Sequence, residues 1–490
     1  MKILMLTPEL APFAQTGGLG DMVASLSKTL AARGHDVRVL LPRYGRTAMP
    51  AGFRPFPAPV AVHLSPAETA YCRVWESAPD TSDVQVRFIE YDTFFGGAQI
   101  YGRVDDGYRF AFQTAAALDF CLQSGWLPDI VHAHDWTAGL APAMLNTVRR
   151  GTALGRTAPV FTIHNLRHQG FVPAGVLGYL HLPQSLFTAD NYECYGEVNL
   201  MKGAIYHAAK VTTVSPTYAR EILTPEYGCG LDGVLRHRAA DLSGILNGID
   251  TREWSPETDG HLAKNFSAGC VAEGKAASKA ALRREYGLNA GEAGGEGDFA
   301  APLFGVVSRL DEQKGLDLFA EILPDLLARS RMQVVILGSG DRHLEGRLLA
   351  IARRFAGKCA VRIGYDTAAA HRIIAASDFF VMPSRFEPCG LTQLYSMRYG
   401  TLPVARATGG LADSISGWTS QGTEADATGI LFTAATAGAL RDAMHRALQL
   451  YFDRREAFER TRLNAMSRDF TWRLSAEHYE KVYQSARVGR

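Results

Sequence analysis

Short apolar runs that end in polar residues recur along this chain, with helical segments between them. KILML (Lys2–Leu6) opens the series, without the apolar–polar alternation of a strand that has one wet face. A glycine loop follows, then MVASLSKTLAARG, in which Val23, Leu26 and Leu30 share one helical face and Gly34 is placed to end the helix. HDVRVLLPRY returns as a second strand. Strand, loop, helix, strand is the βαβ unit, which implies a parallel sheet with helices on its faces. The series continues through DIVHAHD (129–135), PVFTIHN (159–165), VTTVSP (211–216) and GILNGID (244–250). Between about 255 and 300 the character changes, and AGEAGGEGD there has too little apolar content to pack. The alternation then restarts with LFGVVSRL, QVVILGSGD, AVRIGY, DFFVMPSRFEPCG and LPVARATGG. Two such blocks in 490 residues, more than one core usually serves, predict two parallel α/β domains. The tail from Phe470, carrying Trp472, Tyr479 and Tyr483, reads as an amphipathic helix packed on one or both of them.

Each block holds nearly the same eight letters: QTGGLGDM from Gln15 and ATGGLADS from Ala407. Gly-Gly is good turn chemistry anywhere. The first copy, however, leads straight into a strong helix, where backbone amides approach an anion and the helix N-terminus adds partial positive charge. The second is followed closely by ISGW, so its helix is short or absent. The first is the better anion site.

Composition removes several function classes. With 51 basic and 50 acidic side chains the net charge is +1, which gives no electrostatic reason to expect nucleic acid or an anionic membrane as partner. No apolar stretch approaches the roughly 20 residues of a membrane span. MKILMLTPELAPF, interrupted by Glu9, is a poor signal peptide and a good first strand. Cys72, Cys121, Cys194, Cys229, Cys270, Cys359 and Cys389 are scattered with no CxxC, which fits reduced thiols in a cytoplasmic chain.

In open parallel sheets ligands bind beyond the carboxyl ends of the strands, which puts His134, Asp135, His164, Asn165 and Ser215 on the functional edge. Four stretches carry the chemistry. In SRLDEQKG (308–315), Arg309 and Lys314 end a strand and lie on the loop after it, where two cations can converge on one diphosphate. A solvated surface pair is the ordinary reading of such residues; the strand-end position favours the functional one. In SRFEPCGLTQLY (384–395), Glu387 precedes a helix expected from about Gly390 to Tyr399. It either caps that helix or accepts sugar hydroxyls beside the free amides near Cys389, Gly390 and Leu391. HAHDWTAGL (132–140) places Asp135 and Trp136 at a strand end, and Trp136 is either a core residue or a flat face for a sugar ring. In TIHNLRHQG (162–170), His164 pairs with His134 to suggest metal, but no complete ligand set accompanies them. There is no Asp-x-Asp in the chain, so a bound diphosphate would rely on protein cations and amides, with no metal and no cofactor.

Taken in order, TPELAPFAQTGGLGDMV, VHAHDWTAGL, TIHN, VTTVSPTYAREI, ILNGID, GVVSRLDEQKGLDL and SRFEPCGLTQLYSMRYGTLPVARATGGLAD resemble the bacterial glycogen synthases and plant starch synthases, the glucan synthases of glycosyltransferase family 5. The resemblance covers nearly the full length. It implies the GT-B fold, two Rossmann-like domains with an interdomain cleft. The domains would span 1–245 and 257–469, with a hinge at 246–256 and a helix at 470–490 packing back on the first. The implied reaction is retaining transfer of glucose from ADP-glucose, with UDP-glucose the alternative donor, to the non-reducing 4-hydroxyl of glycogen or another α-1,4-glucan.

Family roles carry over by position. Arg309 and Lys314 would hold the donor diphosphate as it leaves. Glu387 would bind the transferring glucose near Cys389, Gly390, Leu391 and Thr392, with Gly409 and Gly410 beside them. Asp135 and His164 would line the sugar site with Asn165. Gly17 and Gly18 would approach the diphosphate, with Gln15 and Asp21 close by. Tyr101 and Trp136 would be acceptor-side residues. One position departs from the family pattern: Gln15 stands where KTGGL is usual, replacing a full positive charge with a neutral amide. Rival readings are another GT-B enzyme with a different acceptor, a non-catalytic glucan-binding relative, and a dinucleotide-dependent oxidoreductase. The last lacks a complete G-x-G-x-x-G after the first strand.

Overall fold

The computed structural model describes residues 1–45, 47–78, 84–289, 301–419 and 425–488. AGEAGGEGD lies outside the described residues. The chain divides into two compact units, one comprising Met1–Gly248 and the residues from Trp472 onward, the other Ile249–Thr471.

In the first unit, seven parallel strands run in the order Leu242–Gly244, Lys210–Thr213, Ala158–Ile163, Ile130–His134, Lys2–Leu6, Asp36–Pro42, Val84–Glu90. The first apolar run is buried on both faces as its composition requires: Ile3, Leu4, Met5 and Leu6 are all 0–1% exposed. The helix Gly18–Ala32 lays Met22, Val23, Leu26 and Leu30 on this sheet. Each such side chain is worth about 1.5–3 kcal/mol on burial. Trp472–Val488 is a helix whose Trp472, Ala476, Tyr479, Tyr483 and Ala486 recur at helical spacing and are buried in this unit's core. Its rim is fastened by a forked pair from Arg33 to Glu480, with Nε at 2.8 Å and Nη2 at 2.9 Å.

Two sequence expectations need correction here. The sheet is mixed: Glu68–Glu76 joins Val84–Glu90 antiparallel, and Arg54–Pro55 and Val60–Ser65 pair antiparallel with Glu68–Glu76 in turn. Antiparallel neighbours need only short turns, so this edge is built within one stretch of chain that no crossover helix announces. GILNGID is strand only at Leu242–Gly244, which has one neighbour, Lys210–Thr213. Beyond Gly244 the chain leaves the sheet on its way to the second unit.

The second unit holds six parallel strands in the order Cys359–Ile363, Gln333–Gly338, Leu303–Val307, Phe379–Met382, Leu402–Arg406, Ile430–Phe432. Counted along the chain this is 3-2-1-4-5-6, the Rossmann order. The helix Val271–Tyr286, in the stretch whose composition changes, packs onto it through Leu282. Its Lys279 reaches the buried Asp378 at 2.5 Å, so these charges are paired inside the protein.

Candidate active site

Strand order locates the site. In a doubly wound sheet the connections leaving two adjacent strands go to opposite faces at one point, and a crevice opens there. In the second unit that point lies between Leu303–Val307 and Phe379–Met382. The loop leaving the first carries Arg309 and Lys314; the loop leaving the second carries Glu387. In the first unit the corresponding point lies between Lys2–Leu6 and Ile130–His134. The loops leaving these carry Gln15, Gly17 and Gly18 on one side, Asp135 and Trp136 on the other. Gln15, Gly17, Asp135, Trp136, Arg309, Lys314 and Glu387 therefore lie beyond the strands at these two points.

In the second unit the two loops are fastened together. Gly315 (φ +64) sits so close to Pro383 that a Cβ would meet its carbonyl oxygen at 2.1 Å. The Arg385 amide donates to the Gln313 carbonyl at 2.8 Å, and its guanidinium forks onto Asp317 with both contacts at 2.7 Å. This brings the Lys314 ammonium onto both oxygens of Glu387, at 2.9 and 2.7 Å, with the Ser384 hydroxyl donating to the same carboxylate at 2.9 Å. The Glu387 side chain is 6% exposed and that of Lys314 19%. Arg309 differs. Its side chain is 57% exposed, resting on Asp311 at 2.7 Å and on Gln313 at 3.1 Å. The sequence separates Lys314 from Glu387 by 73 residues and gives no hint that they touch.

Glu387 lies before a helix of Thr392–Arg398, which starts two residues later and ends one earlier than expected. Cys389 is buried, and Gly390 and Leu391 are half-buried on the approach to it. The second glycine pair has a packing role. A Cβ on Gly409 (φ +45) would lie 1.9 Å from the Glu387 carbonyl oxygen, and one on Gly410 the same distance from that of Cys389. The Gly410 amide donates to the Glu387 carbonyl at 3.1 Å. These glycines hold the Glu387 loop in place, ahead of a helix of six residues, Gly409–Ser414. By contrast, a Cβ on Gly17 would meet nothing within 4 Å, and Gln15, Gly17 and Gly18 are exposed.

The first-unit loop has an organiser that sequence reading missed. Glu9, 3% exposed, accepts from the Thr16 amide at 2.6 Å, the Thr16 hydroxyl at 2.9 Å, the Gly17 amide at 3.2 Å and the Tyr101 hydroxyl at 2.5 Å. One carboxylate thus ties the glycine turn to Tyr101. The signal was present as an acid inside an apolar run, but its partner lies 92 residues away. Gln15 is folded over the turn: its Nε2 donates to Asp21 at 2.7 Å and to the Gly17 carbonyl at 3.1 Å. The Tyr101 and Trp136 rings lie 6.3 Å apart, and Trp136 is half-buried over Phe110.

Asp135 adopts φ +55, uncommon for a non-glycine, and accepts the His164 amide at 2.8 Å. A conformation of this kind persists only where the surrounding structure over-determines it. His164 Nε2 lies 3.1 Å from His134 Nδ1, and Asn165 accepts the Arg167 amide at 3.1 Å. Ser215, placed on the functional edge in sequence, is fully buried and caps its own helix by accepting from the Tyr218 amide at 2.9 Å. Among the described residues no three His, Cys, Asp or Glu side chains are grouped to hold a metal ion.

Loss of water around Asp135 pushes its carboxyl from its ordinary 3.8 up to about 7, while the His164 and Asn165 amides pull the other way. Folding therefore favours its protonated form. The stability this contributes is fully present below 3.8 and is lost as pH rises to about 7. Urea unfolding at both ends of that window should show wild type losing stability relative to Asp135→Asn as pH rises. A constant difference between the two proteins would contradict it.

Comparison with known proteins gives the family. Residues 2–237 match the model of the starch synthase catalytic domain, and residues 301–450 that of the glycosyl transferases group 1. The chain is 45% identical over 498 residues to a glycogen synthase of Anaeromyxobacter dehalogenans, with 100% of each chain covered. It is 44% identical to glycogen synthase 2 of Geobacter sulfurreducens, with 99% of each covered. The catalytic domain of starch synthase IV from Arabidopsis thaliana, solved bound to ADP and acarbose, superposes with a TM-score of 0.91 at 35% identity over 99% of both chains. With relatives this similar spanning the whole of it, the chain belongs to the glycogen synthase and starch synthase family of glucosyltransferases.

Proposed function

We propose that this glucosyltransferase uses ADP-glucose, extends the non-reducing 4-hydroxyl end of an α-1,4-glucan such as glycogen with retention at the anomeric carbon, releases ADP, and works in the cytoplasm. The observation that carries this reading is the Lys314–Glu387 pair at the crevice of a Rossmann-ordered sheet, with Arg309 exposed beside it. The Arabidopsis relative bound to ADP adds support.

The chemistry follows from where charge develops. The bond from glucose C1 to the donor's phosphate oxygen breaks, and a bond from C1 to the acceptor O4 forms. The acceptor's hydroxyl proton leaves with the departing diphosphate. Negative charge grows on the diphosphate, which Arg309 and Lys314 stabilise together with the amides at Gly390, Leu391 and Thr392. Positive character grows on the sugar, which the Glu387 carboxylate answers from beneath Lys314. Donors fixed before the reaction need no reorganisation during it, and that is why they accelerate it. In the first unit Asp135, His164 and Asn165 are the sugar-lining residues of this reading, and the exposed Gly17–Gly18 turn, whose Gly17 amide is held by Glu9, is its candidate donor-facing part. Tyr101 and Trp136 receive the acceptor.

Incorporation of labelled glucose into glycogen, from ADP-glucose and from UDP-glucose in parallel, tests the proposal. Faster incorporation from ADP-glucose is expected; a preference for UDP-glucose, or none into glycogen, would overturn it. Gln15 sharpens this test. Its amide is turned onto Asp21, so a lysine there exchanges a neutral donor for a charged one. Gln15→Lys should raise kcat/KM for ADP-glucose by about fivefold, the difference of about 1 kcal/mol between charged and neutral hydrogen bonds. An unchanged value removes Gln15 from donor binding.

A further inference from the structure

Behind His164 lies a file of buried polar side chains that the proposed reaction does not use. The Tyr483 hydroxyl, on the C-terminal helix, lies 2.8 Å from His132 Nδ1. His132 Nε2 lies 2.5 Å from the Thr162 hydroxyl, which lies 2.6 Å from that of Thr212. Both nitrogens of His132 are therefore occupied. Its ring packs on His134, with centroids 4.1 Å apart, and His134 Nδ1 faces His164 Nε2 at 3.1 Å. The last nitrogen, His134 Nε2, is buried with no partner among the described residues.

That orphan decides how the protons are arranged. Burial holds all three imidazoles below their ordinary range, His132 and His164 at about 3, so each is neutral and carries one proton. Between two neutral rings in contact one nitrogen donates and the other accepts. If His134 carried its proton on Nε2, a buried N–H would be unsatisfied, and orphaned N–H donors are rarer than under-satisfied acceptors. The proton belongs on His134 Nδ1, donated to His164 Nε2. His164 must then carry its own proton on Nδ1.

Resting on the proposed reading of His164 as a sugar-lining residue, we infer that His134 is a positioning residue that locks His164 in the Nδ1–H tautomer, presenting the sugar with a fixed hydrogen-bond donor. No protein acceptor takes the His164 Nδ1 proton among the hydrogen bonds of the described residues, and the residue is half-buried. In this state Nδ1 cannot take a proton from an acceptor hydroxyl, so His164 binds and orients and does not act as a base.

The test is ¹⁵N spectroscopy of histidine-labelled protein, with His164 assigned by its loss in His164→Gln. A protonated-type signal on His164 Nδ1 and an unprotonated-type signal on Nε2 are expected in wild type. The reverse pattern overturns the inference, whatever donor the enzyme uses. In His134→Leu, which fills the space without a donor, the two His164 signals should average between tautomers and kcat should fall roughly ten- to hundredfold. His134→Asn, whose amide can donate from nearly the same point, should restore both. A wild-type spectrum retained in His134→Leu would assign the lock elsewhere and refute the role of His134. If His134→Leu fails to fold, the wild-type spectrum and the Asn variant still decide.

Discussion

Arg309→Ala lowers kcat by a factor of about 10²–10³ and leaves the unfolding midpoint where it was. The first half of this expectation comes from the chemistry. A guanidinium at the crevice would meet the further negative charge that develops as the diphosphate departs, so its removal should cost about 3–4 kcal/mol in the transition state and less in the ground state. The second half comes from the structure. The side chain is 57% exposed, and its ion pair with Asp311 spans two positions of the same loop. Exposed pairs of this kind are worth about 0–1 kcal/mol. Steady-state kinetics together with thermal unfolding separate the two halves. Near-normal turnover would remove Arg309 from the site, and a large fall in the midpoint would make it structural.

Lys314 is expected to behave differently, because it serves both catalysis and stability. Lys314→Ala leaves the Glu387 carboxylate, 6% exposed, with the Ser384 hydroxyl but no cation. Breaking a buried pair from one side costs about 3–5 kcal/mol, and the partial exposure of Lys314 puts this case at the low end, about 3 kcal/mol. Turnover should fall at least as far as in Arg309→Ala. Replacing both partners, Lys314→Met with Glu387→Gln, removes the uncompensated charge and should recover most of the stability while activity stays lost. That combination distinguishes a catalytic pair from a structural one. If the double variant regained turnover along with stability, the pair would be scaffold only.

What the sequence revealed and what it hid follow from the range of the interactions. Lys2–Leu6, Gln333–Gly338 and Phe379–Met382 were legible because a strand covered on both faces is apolar without alternation, and strands of four to six residues suffice to show it. The polar ends of such runs mark the loops that carry Arg309, Lys314 and Glu387. Which loops are neighbours was beyond reach, since strand order is a property of the sheet. Leu303–Val307 pairs with Phe379–Met382 although two strands intervene in the chain, and that pairing creates the Lys314–Glu387 contact. Glu9 was hidden for the same reason, its four donors coming from residues 16, 17 and 101.

The repeated TGGL shows a local signal with two physical meanings. At Gly17 there is open space where a side chain would be, and a helix of 15 residues begins next to it. At Gly409 and Gly410 the same letters let one backbone press against another, fixing the loop that carries Glu387. The same letters thus give an exposed turn in one unit and a tight buttress in the other. Only the neighbours distinguish them.

A crystal structure of the protein with ADP tests the central assignment most directly. The diphosphate should lie within hydrogen-bond distance of the Arg309 guanidinium and the Lys314 ammonium, at the strand-end crevice between Leu303–Val307 and Phe379–Met382. A diphosphate bound at any other place, with those two side chains still resting on Asp311 and Glu387 alone, would contradict it.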